Sequence, residues 1–190
     1  SLAAYVFTRL EFKGRNIVFI LYLSTMMIPI TVRLIPSYNL CRNLNMLDTY
    51  MGMILPQVAW SIPFGTFLMR QFYMGIPKQL DEAAKIDGAN HFQIFWKILL
   101  PNTKSSMATL GIYTFISAWN NLIWMLLSVR SESKWTVTLG ISSICGASVI
   151  KQPTWNLIMG VIVIGMIPVL ILFFAFQKYF MQSVAATGIK

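Results

Sequence analysis

Four long apolar runs constrain this 190-residue chain more than any other feature. They extend from Asn16 to about Ile35, from Thr49 to about Met69, from Ser105 to Val129, and from about Pro153 to Gln177. A helix needs about 20 mostly apolar residues to cross the hydrocarbon core of a bilayer, and each run approaches or exceeds that length. Arg33 intrudes near the end of the first, where its long side chain can snorkel to the headgroups. Only 11% of the residues are charged, whereas soluble domains carry about 25%, so the chain lacks the polar surface to cover a globule in water. The expected fold is all-α, a polytopic membrane helical bundle. Ser1–Leu10 is apolar as far as Arg9 but too short to span, and it reads as the tail of a helix that begins outside this sequence. With no initiator methionine and no signal-peptide pattern, the chain is expected to be an N-terminally truncated piece, with four full spans and the end of a fifth.

The formal charge of +9 raises the question of nucleic acid. Phosphate binding needs clustered cations with interleaved aromatics, and here the basic residues sit at the ends of the apolar runs. They flank membrane spans instead, and their distribution sets the orientation. One side holds Arg9, Lys13, Arg15, Arg70, Lys78, Lys85, Lys97, Lys104, Lys178 and Lys190; the other holds Arg33, Arg42, Arg130, Lys134 and Lys151. That two-to-one excess places the Pro77–Pro101 insert and the C-terminus in the cytoplasm, and turns the loops expected at Pro36–Asp48 and Arg130–Gln152 outward. Pro29, Pro56, Pro63 and Pro168 lie in or beside the spans. Each removes a backbone donor and crowds the preceding turn, which neighbouring helices or water must repair.

No residue pattern supports catalysis. There is no GxxxxGK[ST] phosphate loop, no GxSxG and no HExxH, and His91 is the sole histidine. His91 reads as a solvated loop residue. Cys41 and Cys145 show no metal-ligand spacing and are expected to be two inert thiols, although a bridge between two outward segments is also compatible with the sequence. No metal or cofactor is expected. The spans contain no carboxylate, which argues against a channel or secondary transporter with its own coupling-ion site. A membrane anchor that recruits a protein without transport is the other alternative.

The insert IPKQLDEAAKIDGANHFQIFWKILLP is the one elaborate polar segment. Pro77 suits a first helical turn, and Leu80, Ala83, Ala84 and Asp87 recur on one side at helical spacing. Gly88 is placed for a left-handed helix stop. Asn90 is placed to cap a second helix whose Phe92, Phe95, Trp96 and Leu99 mark a face, with Pro101 ending it. Two short helices with a glycine corner are expected at the membrane surface. Their alternative roles are to dock a partner or to lie in the headgroups with the aromatic face buried.

Glu82-Ala83-Ala84, Asp87-Gly88-Ala89, Ile98 and Leu100-Pro101 together resemble the EAA motif of binding-protein-dependent ABC importer permeases, at its usual spacing. Thr8–Asn16, Met26–Pro29, Phe67–Tyr73, Trp119-Asn120 and Phe176–Gln182 are similar to the carbohydrate branch, and most of all to its maltose-permease-like second subunit. The resemblance covers essentially the whole chain. It implies that residues 1–190 are a partial transmembrane domain of an importer in the bacterial inner membrane, with a coupling-helix insert at 77–101. It also implies a homologous permease partner, two cytoplasmic ABC ATPase subunits and an extracytoplasmic solute-binding protein, with membrane lipids around the spans. Carried over, Glu82 pairs with a basic residue of the ATPase, Ala83 and Ala84 pack in its groove, Asp87 adds charge and Gly88 forms the corner.

Sugars are bound by hydrogen-bonding side chains and flat aromatic surfaces, so Trp119, Asn120, Asn121 and Trp124 form the expected substrate-pathway cluster. Interfacial anchoring of the tryptophans and interhelical bonding of the asparagines is the alternative. Asn121 stands where the branch commonly has an acidic residue, and Met125 where proline is frequent. The segment Arg130–Gln152, with Trp135, is expected either to meet the solute-binding protein or form a lid, or to be a re-entrant plug.

Overall fold

The computed structural model describes the backbone of residues 1–151 and 155–187 and the side chains of residues 1–146 and 155–177. Pro153, where the fourth run was expected to start, and the basic residue Lys190 lie outside these residues. So do the side chains of Lys151 and Lys178. Among the described residues every regular element is helical: α1 Leu2–Arg9, α2 Arg15–Ser24, α3 Ile30–Asn43, α4 Tyr50–Met74, α5 Gln79–Ile86, α6 His91–Gln93, α7 Leu100–Asn102, α8 Lys104–Trp119, α9 Leu122–Ser128, α10 Val137–Lys151 and α11 Trp155–Thr187. An all-α fold was expected.

The spans differ from expectation in their continuity. α4 and the Trp155–Gln177 part of α11 are each long and apolar enough to cross a membrane, whereas the first and third runs qualify only as broken pairs, α2 with α3 and α8 with α9. The first break falls at Pro29. The residue before a proline is pushed out of the helical region, and Ile28 is extended at φ −72°, ψ 118°. The second falls at Asn120–Asn121, where Asn121 Oδ1 accepts the Trp124 N–H and starts a new helix. Beyond Pro29 the chain stays helical to Asn43, so most of Pro36–Asp48 is helix and not the loop expected. Val137–Lys151 is likewise a helix within the long outward segment. α11 is exposed along most of its apolar length, which suits lipid contact.

The chain forms two compact units, and α4, α8 and α11 each contribute to both. The first gathers Ser1–Ile28 and Ser61–Gly111 with the C-terminal end of α11. Its core is Ala4, Tyr5, Met69, Tyr73, Ala84, Ile94, Phe95 and Leu99. Burial of these side chains is the main force that fixes α1, α4, α5 and the α6–α7 segment together.

The second unit holds Pro29–Trp60 and Ile112–Ala175, with a core of Leu34, Cys41, Met53, Trp124, Met125, Val129 and Leu139. Cys41 and Cys145 are free thiols. Arg33 stacks 5.7 Å above the Trp60 ring, an aromatic partner that offsets part of the cost of a cation in a span. A polar latch ties the turn before α4 to the segment after α9. Asp48, at φ 56°, accepts the Arg130 and Ser131 amides at 3.0 Å and the Ser131 hydroxyl at 2.5 Å. Lys134 Nζ donates to the Asp48 carbonyl.

The Ser131 hydroxyl, then the Ser131 and Arg130 amides, and last Lys134, hold the Asp48 carboxyl well below the usual carboxylate range. A depressed value means the latch is complete above the unfolded value of about 3.9 and is lost only as pH falls through the lower folded value. Hydrogen exchange at the Arg130 and Ser131 amides should therefore stay protected from neutral pH down to pH about 4. Asp48→Ala should speed that exchange on the order of tenfold, through loss of the two charge-assisted acceptors.

Candidate functional site

α5 follows directly from its residues. Asp81 and Glu82 sit in its first turn and Lys85 in its last, both favourable to the helix dipole. It ends at Asp87, and Gly88 takes φ +83°, a left-handed position that glycine adopts without a Cβ penalty. The Gly88 N–H bonds the Lys85 carbonyl at 3.0 Å and the Ala89 N–H the Ala84 carbonyl at 2.9 Å. Asn90 then caps the next helix through a reciprocal pair, Gln93 N–H to Asn90 Oδ1 and Asn90 N–H to Gln93 Oε1, both 2.9 Å. Helix, glycine corner and capped second helix all stand where the sequence put them.

The faces do not. Asp81 and Ala84 turn inward, while Leu80, Glu82, Ala83, Ile86, Asp87 and Gly88 are exposed. Ala84 packs in the core of its own unit, which corrects the expectation that Ala83 and Ala84 share one outward surface. In the second helix Ile94, Phe95 and Leu99 are buried and Phe92 and Trp96 are exposed. The last two stack with rings 6.2 Å apart at 8°. The single face drawn through Phe92, Phe95, Trp96 and Leu99 is thus split in two. The reason is the turn Ile94–Leu99, which is π-helical and shifts the register by widening the helix. Pro101 does not end the helix; it sits in its final turn, α7.

What holds α5 is an ion pair the sequence reading did not identify. Arg9 Nε lies 2.8 Å from Asp81 Oδ2, with the side chains 5% and 10% exposed. Arg9 Nη2 also donates to the Ile76 carbonyl at 2.8 Å. One guanidinium thereby joins α1, the link after α4 and α5. Tyr5 Oη and His91 Nδ1, 2.9 Å apart, connect α1 to the second helix. His91 is exposed as expected, but it stands at the start of α6 and is anchored there, not in a free loop. The available signal for Asp81 was its position three residues before Ala84, on the buried side of an otherwise polar helix.

The expected substrate-pathway residues all belong to the second unit, in different settings. Trp124 is fully buried, packs edge-on against Trp60 at 5.2 Å and donates Nε1–H to the Gly52 carbonyl at 3.1 Å. Its place is in the core, which corrects its expected position in an accessible cluster. Asn121 is engaged as the α9 cap. Trp119 is half-buried and stacked on Phe115 at 5.6 Å. Asn120, at the break between α8 and α9, is exposed. Among the described residues no group of three or more His, Cys, Asp or Glu is placed to hold a metal ion.

Residues 1–186 match the family described as binding-protein-dependent transport system inner membrane component. The chain belongs to this family. It is 39% identical over 183 residues to the sn-glycerol-3-phosphate transport system permease protein of Yersinia enterocolitica, covering 96% of this chain and 64% of the relative. It is 34% identical over 190 residues to the arabinooligosaccharides transport system permease protein of Bacillus subtilis, covering 100% of this chain and 66% of that relative. This family member therefore spans just under two thirds of the length of these relatives. A crystal structure of a bacterial ABC transporter involved in the import of the acidic polysaccharide alginate superposes with a TM-score of 0.76 at 28% identity, over 93% of this chain and 66% of that one. The inner-membrane family description accords with helices long and apolar enough to span a bilayer.

Proposed function

We propose that this chain is the permease portion of an ATP-binding-cassette importer that carries a sugar or related polyol across the bacterial cytoplasmic membrane by alternating access. Hydrolysis belongs to separate ATPase subunits docked on the α5–Gly88–α6 corner, and the chain itself carries no catalytic residue. The observation that carries this reading is the division of α5 into two faces. Inward, Asp81 and Ala84 are locked to α1, α4 and the second helix. Outward, Glu82, Ala83, Ile86 and Asp87 are exposed beside the glycine corner. A partner that grips the outer face can move the helices behind it, because the inner face is fixed to them. Motion is driven only if the partner's contacts differ between the two states of the permease.

The partners on this reading are a homologous permease, two cytoplasmic ATPase subunits and an extracytoplasmic solute-binding protein, in a multi-pass arrangement with the 77–101 insert in the cytoplasm. The two-to-one excess of Lys and Arg on the insert side supports that orientation. The substrate class is supported by the relatives, whose printed substrates (glycerol phosphate, arabinooligosaccharides, alginate) are all polyhydroxylated. Asn120 and half-buried Trp119, at the break of a span, are the pathway contacts we assign.

The test is reconstitution of the full permease with its ATPase and binding protein in proteoliposomes. Glu82→Arg should abolish ATPase co-purification and ATP-dependent accumulation while membrane insertion stays normal. Accumulation against a gradient with no ATPase present would overturn the proposal.

A further inference from the structure

One cavity of the first unit belongs to none of these roles. It has a volume of about 380 Å³, within the size range of small-ligand sites. Arg9, Arg15, Arg70 and Lys78 line it together with Phe7, Thr8, Met74 and the Gly75–Pro77 backbone, and no carboxylate does. Arg9 is neutralised by Asp81. The charges of Arg15, Arg70 and Lys78 have no acidic partner among the described residues.

Arg70 is the decisive group. It stands one turn inside the end of α4, a helix long and apolar enough to cross a bilayer. Its guanidinium carbon lies 4.2 Å from the centroid of the Phe19 ring, a cation–π contact that holds the side chain at the cavity. Its Nε is buried and makes no hydrogen bond among the described residues. A cation held at a membrane boundary with an unsatisfied buried donor is costly unless an anion completes it. Arg15 begins α2, so the cavity opens where two apolar helices leave the hydrocarbon. Met74 on its rim and Ile17, Ile20 and Leu21 along α2 are exposed, a surface for acyl chains beneath a headgroup.

We propose that this cavity binds the phosphate group of an anionic membrane phospholipid, with Arg70 and Arg15 on the phosphate oxygens, Lys78 completing the charge and Met74 against the acyl chain. Basic pockets at the ends of spanning helices take anionic headgroups for this reason, and guanidinium forks match phosphate geometry. The inference depends on the membrane placement of α4 and not on ATPase docking at α5.

The experiment is native mass spectrometry of the intact transporter complex released from nanodiscs of phosphatidylglycerol and phosphatidylcholine. A phosphatidylglycerol adduct should remain on the wild type and fall at least about tenfold in Arg70→Gln, the weakening expected from loss of one charge-assisted phosphate contact. Arg70→Lys should restore part of it, and Lys13→Gln, an exposed charge outside the cavity, should change nothing. If Arg70→Gln does not assemble, the Arg15→Gln/Lys78→Gln pair provides the same reading without touching the Phe19 stack. Equal retention by wild type and assembled variants overturns the proposal. So does displacement of the adduct by millimolar inorganic phosphate, which would assign the cavity to a soluble anion.

Discussion

Gly88→Pro is expected to reduce ATP-driven uptake by at least about tenfold, equivalent to losing about 1.4 kcal/mol of coupling, while the spans insert and the core of the first unit stays folded. Three conflicts meet at this residue. Proline fixes φ near −65°, and Gly88 holds +83°. Proline has no N–H, and that of Gly88 bonds the Lys85 carbonyl at 3.0 Å. Proline also disfavours helical backbone in the residue before it, and Asp87 caps α5 at φ −72°, ψ 4°. Gly88→Ala separates shape from space. A Cβ at Gly88 meets nothing within 4 Å, so alanine brings only the left-handed penalty of about 1–2 kcal/mol and should retain much of the uptake. Ordinary uptake in Gly88→Pro would mean that the corner transmits no motion. Side-by-side pull-down of the ATPase and transport assays on the two variants make the measurement.

Much of the architecture was legible because it rests on local rules. The glycine stop, the Asn90–Gln93 capping box and the helical hydrophobicity of Tyr50–Met74 are set by residues a few positions apart. The reading failed where local patterns compete with distant partners. A helical wheel with 3.6 residues per turn placed Phe92, Phe95, Trp96 and Leu99 together, and a π-helical turn separated them. Trp124 looked like a sugar platform, but its indole N–H is satisfied by Gly52, 72 positions away. Asp48 and Asp81 drew no attention as isolated carboxylates, since their partners lie 82 to 86 and 72 positions away along the chain respectively. Periodicity carries no information about such pairs.

Asp81→Ala is the substitution expected to cost the most stability. It leaves the Arg9 guanidinium, 5% exposed, without its carboxylate, and removing one partner of a buried ion pair costs about 3–5 kcal/mol. The loss should appear as a lower melting temperature of the purified complex and as protease cleavage within 77–90, because α5 is then held mainly by Ala84 and the Ile76 link. High salt should not mimic the effect, since a buried pair is screened far less than an exposed one. The double variant Arg9→Met/Asp81→Leu distinguishes pairing from packing. It removes both charges together, and apolar replacements of a buried pair are often neutral or stabilising, so its stability should recover toward wild type. Uptake then reports something separate from stability. If the ion pair only stabilises α5, transport recovers with the melting temperature. If the guanidinium bridge from α1 to Ile76 and Asp81 also keeps α5 in register as the docked partner moves, uptake stays low in a complex that is fully folded. A melting temperature unchanged in Asp81→Ala would show that the contact contributes nothing to holding the helix.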